Sequence, residues 1–152
     1  MNPQILEALC TDFTAIYQCD LIQDTIDIIR FDKGTHTDMA IQTMDSYTLH
    51  SFSKMIQYFE NLYIQDSAQE CIWKEFEPQA LMEKLKHTPI YRYHCRLKPN
   101  QNGNEYHSFR AIKINESKSS FEVVIGVKVM DDLMEKQYKN EKRLQQLLEE
   151  KK

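Results

Sequence analysis

Hydrophobic positions recur with a period of two in three consecutive runs, 90–98, 105–114 and 121–129. Near Asp131 the period changes to that of a helix, and the helical pattern is still running at Lys152. A period of two marks strands with one buried face. In the first run Tyr91, Tyr93, Cys95 and Leu97 share a face opposite Arg92, His94, Arg96 and Lys98. In the third, Phe121, Val123, Ile125, Val127 and Val129 oppose Glu122, Val124, Gly126 and Lys128. Asn102-Gly103 lies between the first two runs and polar residues 115–120 between the second pair, so both connections read as hairpins.

The first half carries two more strands and several helices. Pro3 suits the first turn of a short helix over 3–10, with Ile5, Leu6 and Leu9 on its apolar edge. Residues 14–21 alternate and 26–31 are rich in β-formers; Gln23-Asp24-Thr25 is the turn between them, and Asp32-Lys33-Gly34 ends the second. Over 48–64, Leu49, Phe52, Met55, Ile56, Phe59, Leu62 and Tyr63 form one helical stripe. A shorter helix follows over 67–76. Pro78 opens another over 78–86, which His87-Thr88-Pro89 stops. The order is helix, two strands, helices, three strands, helix. With hairpins on both sides it predicts an α+β fold: a five-stranded antiparallel sheet with helices on one face. The divisions are a flanking helix over 1–13, a domain over 14–130 and an outgoing helix over 131–152.

The last segment has a heptad seam. With Met130 at position a, the seam runs through Met130, Leu133, Gln137, Asn140, Leu144, Leu147 and Lys151. Gln137 and Asn140 form polar layers of the kind that lower stability and fix register. An isolated helix of this length is marginal in water. No glycine or proline stop follows Leu147. The expectation is a parallel pair of helices in a homodimer, with a further domain downstream.

Composition narrows the function classes. The net charge is −4 and there is no basic stripe, so nucleic acid is not expected as a partner. Three glycines leave no glycine-rich phosphate loop. The four cysteines, Cys10, Cys19, Cys71 and Cys95, have no zinc spacing. Cys10, Cys19 and Cys95 fall in apolar or alternating contexts and read as reduced, packed thiols, which fit a cytoplasmic location. No apolar run is long enough to span a membrane. His36, His94 and His107 read as loop or polar-face residues. The strand residues Asp20, His94 and Glu122 alternate with the apolar face, so no inward acid or base is expected, and the chain is not expected to be an enzyme.

The element order resembles that of a PAS domain, and local strings agree. Residues 14–21, Thr-Ala-Ile-Tyr-Gln-Cys-Asp-Leu, are similar to the first PAS strand of clostridial-type sensor proteins. Residues 89–97 resemble the strand with a Tyr-Arg motif in that branch. Val124-Ile125-Gly126-Val127, followed by Lys128-Val129-Met130-Asp131, resembles the last strand and its junction with the output helix. The first acid of that junction falls at Val129, and Asp131 supplies the only nearby carboxylate. The resemblance implies a bacterial signalling module upstream of a diguanylate cyclase or histidine kinase output, neither of which this chain contains. It also implies a cavity between sheet and helices, lined by Tyr17, Cys19, Tyr93, Cys95, Phe109, Ile125 and Val127. Met130 and Asp131 would relay its state to the outgoing helix. The cofactor is unknown. The flavin-site string is missing, and His50 and His87 read as solvated residues, so flavin and haem are not expected. Three readings are carried: a small-molecule sensor, a ligand-free dimerisation module and, third, a small cone-fold enzyme, which would require an inward acid that the alternation does not supply.

Overall fold

The computed structural model describes residues 12–64 and 72–151. The helix expected over 3–10, the start of the one expected over 67–76, and Cys10 and Cys71 lie outside the described residues. The strands are β1 (Ala15–Asp20), β2 (Thr25–Phe31), β3 (Ile90–Arg96), β4 (Tyr106–Glu116) and β5 (Phe121–Val129). They form one antiparallel sheet in the order β2-β1-β5-β4-β3. The last strand is therefore central. Its side chains alternate as expected, with Phe121, Val123, Ile125 and Val127 in the core.

Between β2 and β3 come α1 (His36–Ile41), α2 (Ser46–His50), α3 (Phe52–Tyr63), α4 (Ile72–Phe76) and α5 (Pro78–His87). Phe52, Met55, Phe59 and Tyr63 of α3, Ile72 and Phe76 of α4, and Leu81, Met82 and Leu85 of α5 share one apolar core with the inner sheet face. Leu81 is fully buried, and truncating such a leucine to alanine costs about 3 kcal/mol. A polar triad ties α4 and α5 to β3. The Tyr91 hydroxyl donates to the Glu75 carboxylate at 2.6 Å, and Lys84 approaches the same oxygen at 2.9 Å.

Two helical details depart from expectation. α1 lies where no helix is predicted. The Thr35 hydroxyl caps it by accepting from the Asp38 N–H, while the Asp38 carboxylate accepts from the Gly34 N–H at 2.8 Å. The helix expected over 48–64 is divided at Ser51, whose backbone is extended and bridges to Thr25. The cause is Asp24 in the β1–β2 turn. Its backbone is left-handed, at φ 57°. Its carboxylate accepts from the Ser51 hydroxyl at 3.1 Å and from the Ser53 N–H and hydroxyl at 2.9 and 2.7 Å. That latch pulls the chain out of helical geometry and gives α3 a second N-terminal acceptor.

Asp20 closes the other side of the same turn. Its carboxylate accepts from the N–H groups of Ile22, Gln23 and Phe121 and from the Ser120 hydroxyl, joining the first hairpin to the start of β5. Burial works against its charge, but these donors prevail and hold its pKa below the usual carboxylate value.

β5 ends at Val129, and α6 (Asp132–Glu150) begins after a two-residue junction. The Met130 N–H donates to the Tyr106 carbonyl at 3.0 Å, keeping the junction on β4. The Asp131 side chain then accepts from the Met134 N–H at 2.8 Å and starts the helix. Beyond that point, Tyr138 is the buried residue of α6, its ring 5.9 Å from that of Tyr106. No helix of the described residues is long and apolar enough to cross a membrane.

Candidate functional site: the sheet–helix interior and the outgoing helix

The inner rows of the sheet and α3 and α4 enclose a cavity of about 30 Å³. Its walls are Tyr17 and Ile26 from the first hairpin, Met55, Ile56 and Phe59 from α3, Ile72 and Phe76 from α4, and Phe109 and Ile125 from the central strands. Of the seven residues expected to line it, Tyr17, Phe109 and Ile125 do so. Cys19, Cys95 and Val127 are buried in the same core, and Tyr93 packs against it with its ring 5.9 Å from Phe76. Space of this size holds about one water, against roughly 300–1,000 Å³ for a small-molecule site. Phe76 and Phe59 fill the centre, each meeting Phe109 edge-on. A ligand of more than a few atoms therefore requires these rings to move.

One end of the interior is polar. Thr35, His36 and Thr37, at the start of α1, are all buried. The Tyr17 and Thr37 hydroxyls hydrogen-bond each other. Burial raises the Tyr17 pKa; the Thr37 bond opposes this, and Cys19 and Tyr63 add to it. His36 meets His107 and Tyr63 edge-on, each at a centroid distance of 4.9 Å. Its Nε2 lies 2.6 Å from the Lys98 carbonyl, and His107 Nδ1 lies 3.0 Å from the Glu105 carbonyl.

This corrects the expectation that His36 and His107 lie in loops or on a polar face; they are 4% and 2% exposed. His94 does lie on the outer face, opposite Ser108. His107 shares the parity of Phe109 and Ala111, so the alternation of β4 already places it inward.

The interior holds both imidazoles neutral. Burial, then the neighbouring His36, lower the His107 pKa to about 4. Burial also lowers that of His36, against the bond to Lys98. An imidazole held that low is a weak base at neutral pH. The Cys19 thiol is pushed well up by burial, with Asp27 and Asp24 adding to the effect, so it is not activated as a nucleophile. Among the described residues no three His, Cys, Asp or Glu side chains gather as a metal site.

The seam residues of α6 form a separate feature. Met130 is buried at the junction, and Asp131 is the helix cap. Leu133, Leu144 and Leu147 are 64%, 58% and 48% exposed, and Gln137 and Asn140 are exposed between them. The seam is thus an open stripe along a helix that packs on Tyr106 of β4 through Tyr138 and Lys139. No family model, no curated protein and no solved structure matches the chain.

Proposed function

We propose that the chain is a PAS-type module of a bacterial, cytoplasmic signalling protein, dimerising through α6 and passing its conformation along that helix to an output domain. The observation that carries this reading is the continuity of β5 and α6. The central strand of the sheet leads, through Met130 and Asp131, into a helix whose leucines face outward. Residue spacing along that face is the heptad spacing of a paired helix. A shift of β5 against β4 moves the start of the rod directly, because the junction hangs on the Tyr106 carbonyl.

The ring-filled interior favours the ligand-free form of this module, in which a partner's contact selects between two sheet–helix arrangements. A small-molecule sensor is the second reading, supported by the apolar cavity with hydroxyls and imidazoles at one end. In either case the input acts only through its differential affinity for the two arrangements, and full switching requires a ratio of about 10⁴.

Native mass spectrometry of the purified chain tests both points. A dimer that Leu144→Asp converts to monomer supports the pairing. A retained small mass would select the sensor form. A strictly monomeric species at high micromolar concentration overturns the proposal.

A further inference from the structure

The outer face of the sheet, away from the core, places two arginines directly opposite each other. Arg92 of β3 pairs with Arg110 of β4, and the next row on that face pairs His94 with Ser108, which in turn is opposite Lys128 of β5. Like charges in directly opposed positions destabilise a sheet. Neither arginine has an ion pair among the described residues, whereas Arg96, on the same face, pairs with Glu105 at 3.0 Å. The chain as a whole is acidic, so a concentration of cations here needs a local reason.

Two further groups point the same way. Ser108 is 0% exposed, and its hydroxyl has no hydrogen-bond partner among the described residues; the same holds for the buried Nε of Arg110. A buried donor left without an acceptor costs about 1–3 kcal/mol. The Arg110 guanidinium lies over the Phe13 ring, 5.6 Å from its centroid. Arg92 is exposed and leaves the block open on its side. The result is a buried hydroxyl and a half-buried guanidinium on the same face as an exposed one.

We infer that this block binds a small phosphate-type dianion between Arg92 and Arg110, with the Ser108 hydroxyl donating to it from below. Guanidinium groups match the spacing of phosphate oxygens, and a dianion removes the repulsion between the arginines while satisfying both orphaned donors. His94 reports the local field: burial lowers its pKa, Glu141 of α6 opposes, and Arg110 and Arg92 lower it further. Glu141 of α6 therefore acts on this part of the face. A bound dianion repels it and loosens the helix from the sheet. That coupling rests on α6 being the output element; the binding site does not.

The test is titration with inorganic phosphate at constant ionic strength, followed by the Arg110 Nε–H resonance, with acetate as comparison. A saturable shift with phosphate and none with acetate is expected. Arg92→Gln should weaken binding at least about ten-fold without lowering thermal stability in chloride, since it removes a like-charge contact. Ser108→Ala should weaken binding about three-fold and raise stability in chloride, because it deletes an unsatisfied group. An absent shift, an equal response to acetate, or undiminished binding by Arg92→Gln overturns the inference. Saturable binding that leaves the Tyr138 ring resonances, which report the contact of α6 with Tyr106, unchanged would keep the site and reject its coupling to α6.

Discussion

His107 makes the fold acid-sensitive in a defined window. Its folded-state pKa is about 4, against 6.5 when unperturbed. As pH falls through 6.5 the unfolded chain takes up a proton that the native interior refuses, so stability drops until the folded value is reached and is flat below it. The full difference is worth about 3 kcal/mol, of which about 2 kcal/mol is lost between pH 7 and pH 5. Over that interval Asp20 and Glu75, whose pKa values lie below the usual carboxylate range, stay ionised, while His36 and His94, both also lowered by burial, add losses of the same sign. The groups next to His107 are His36 and the Glu105 carbonyl, and His36 in turn meets Tyr63. His36 and His94 act in the same direction and leave a residual slope in any His107 variant. The assay is urea unfolding at pH 7 and pH 5, followed through the fluorescence of Trp73, the chain's single tryptophan. Wild type should lose about 2 kcal/mol more over this interval than His107→Phe; His107→Leu provides the same comparison if the larger ring does not fit. Equal losses in wild type and variant would refute the reasoning.

Two further predictions concern the frame around the interior. Asp24→Ala removes the three bonds that split α2 from α3 and leaves an alanine in the left-handed region, so a loss of about 2–3 kcal/mol in urea unfolding is expected. Gly126→Ala would set a methyl 2.8 Å from the Phe13 ring on the outer face; it should cost about 1–3 kcal/mol, and the added cost should largely vanish in a Phe13→Ala background.

The strands were legible because alternation is a local signal. The run over 121–129 coincides with β5, and the others differ from the expected runs at their ends by one or two residues. What was hidden depends on distant partners. α1 has six residues and little apolar pattern, and it exists because Thr35 and Asp38 close its first turn. The break at Ser51 is imposed by Asp24, 27 residues away in sequence. His107 was readable by parity; its burial was obscured because imidazole is usually solvated, and its partner His36 sits in a loop-like stretch. Cavity lining was only partly legible, since alternation says which face Cys95 and Val127 occupy and not whether a gap lies beside them. The Arg92–Arg110 block follows from register, which a single sequence leaves open.

The pairing of α6 is tested most directly by electron–electron distance measurements on spin labels at Lys136 and, separately, Arg143. These positions are seven residues apart and equivalent in the heptad. A parallel pair predicts the same short interspin distance at both sites, with both lost on Leu144→Asp. Distances that differ between the two sites, by up to about 20 Å, would indicate antiparallel rods, and no dipolar coupling at either site would mean the helix stands alone, contradicting a relay through a helix pair.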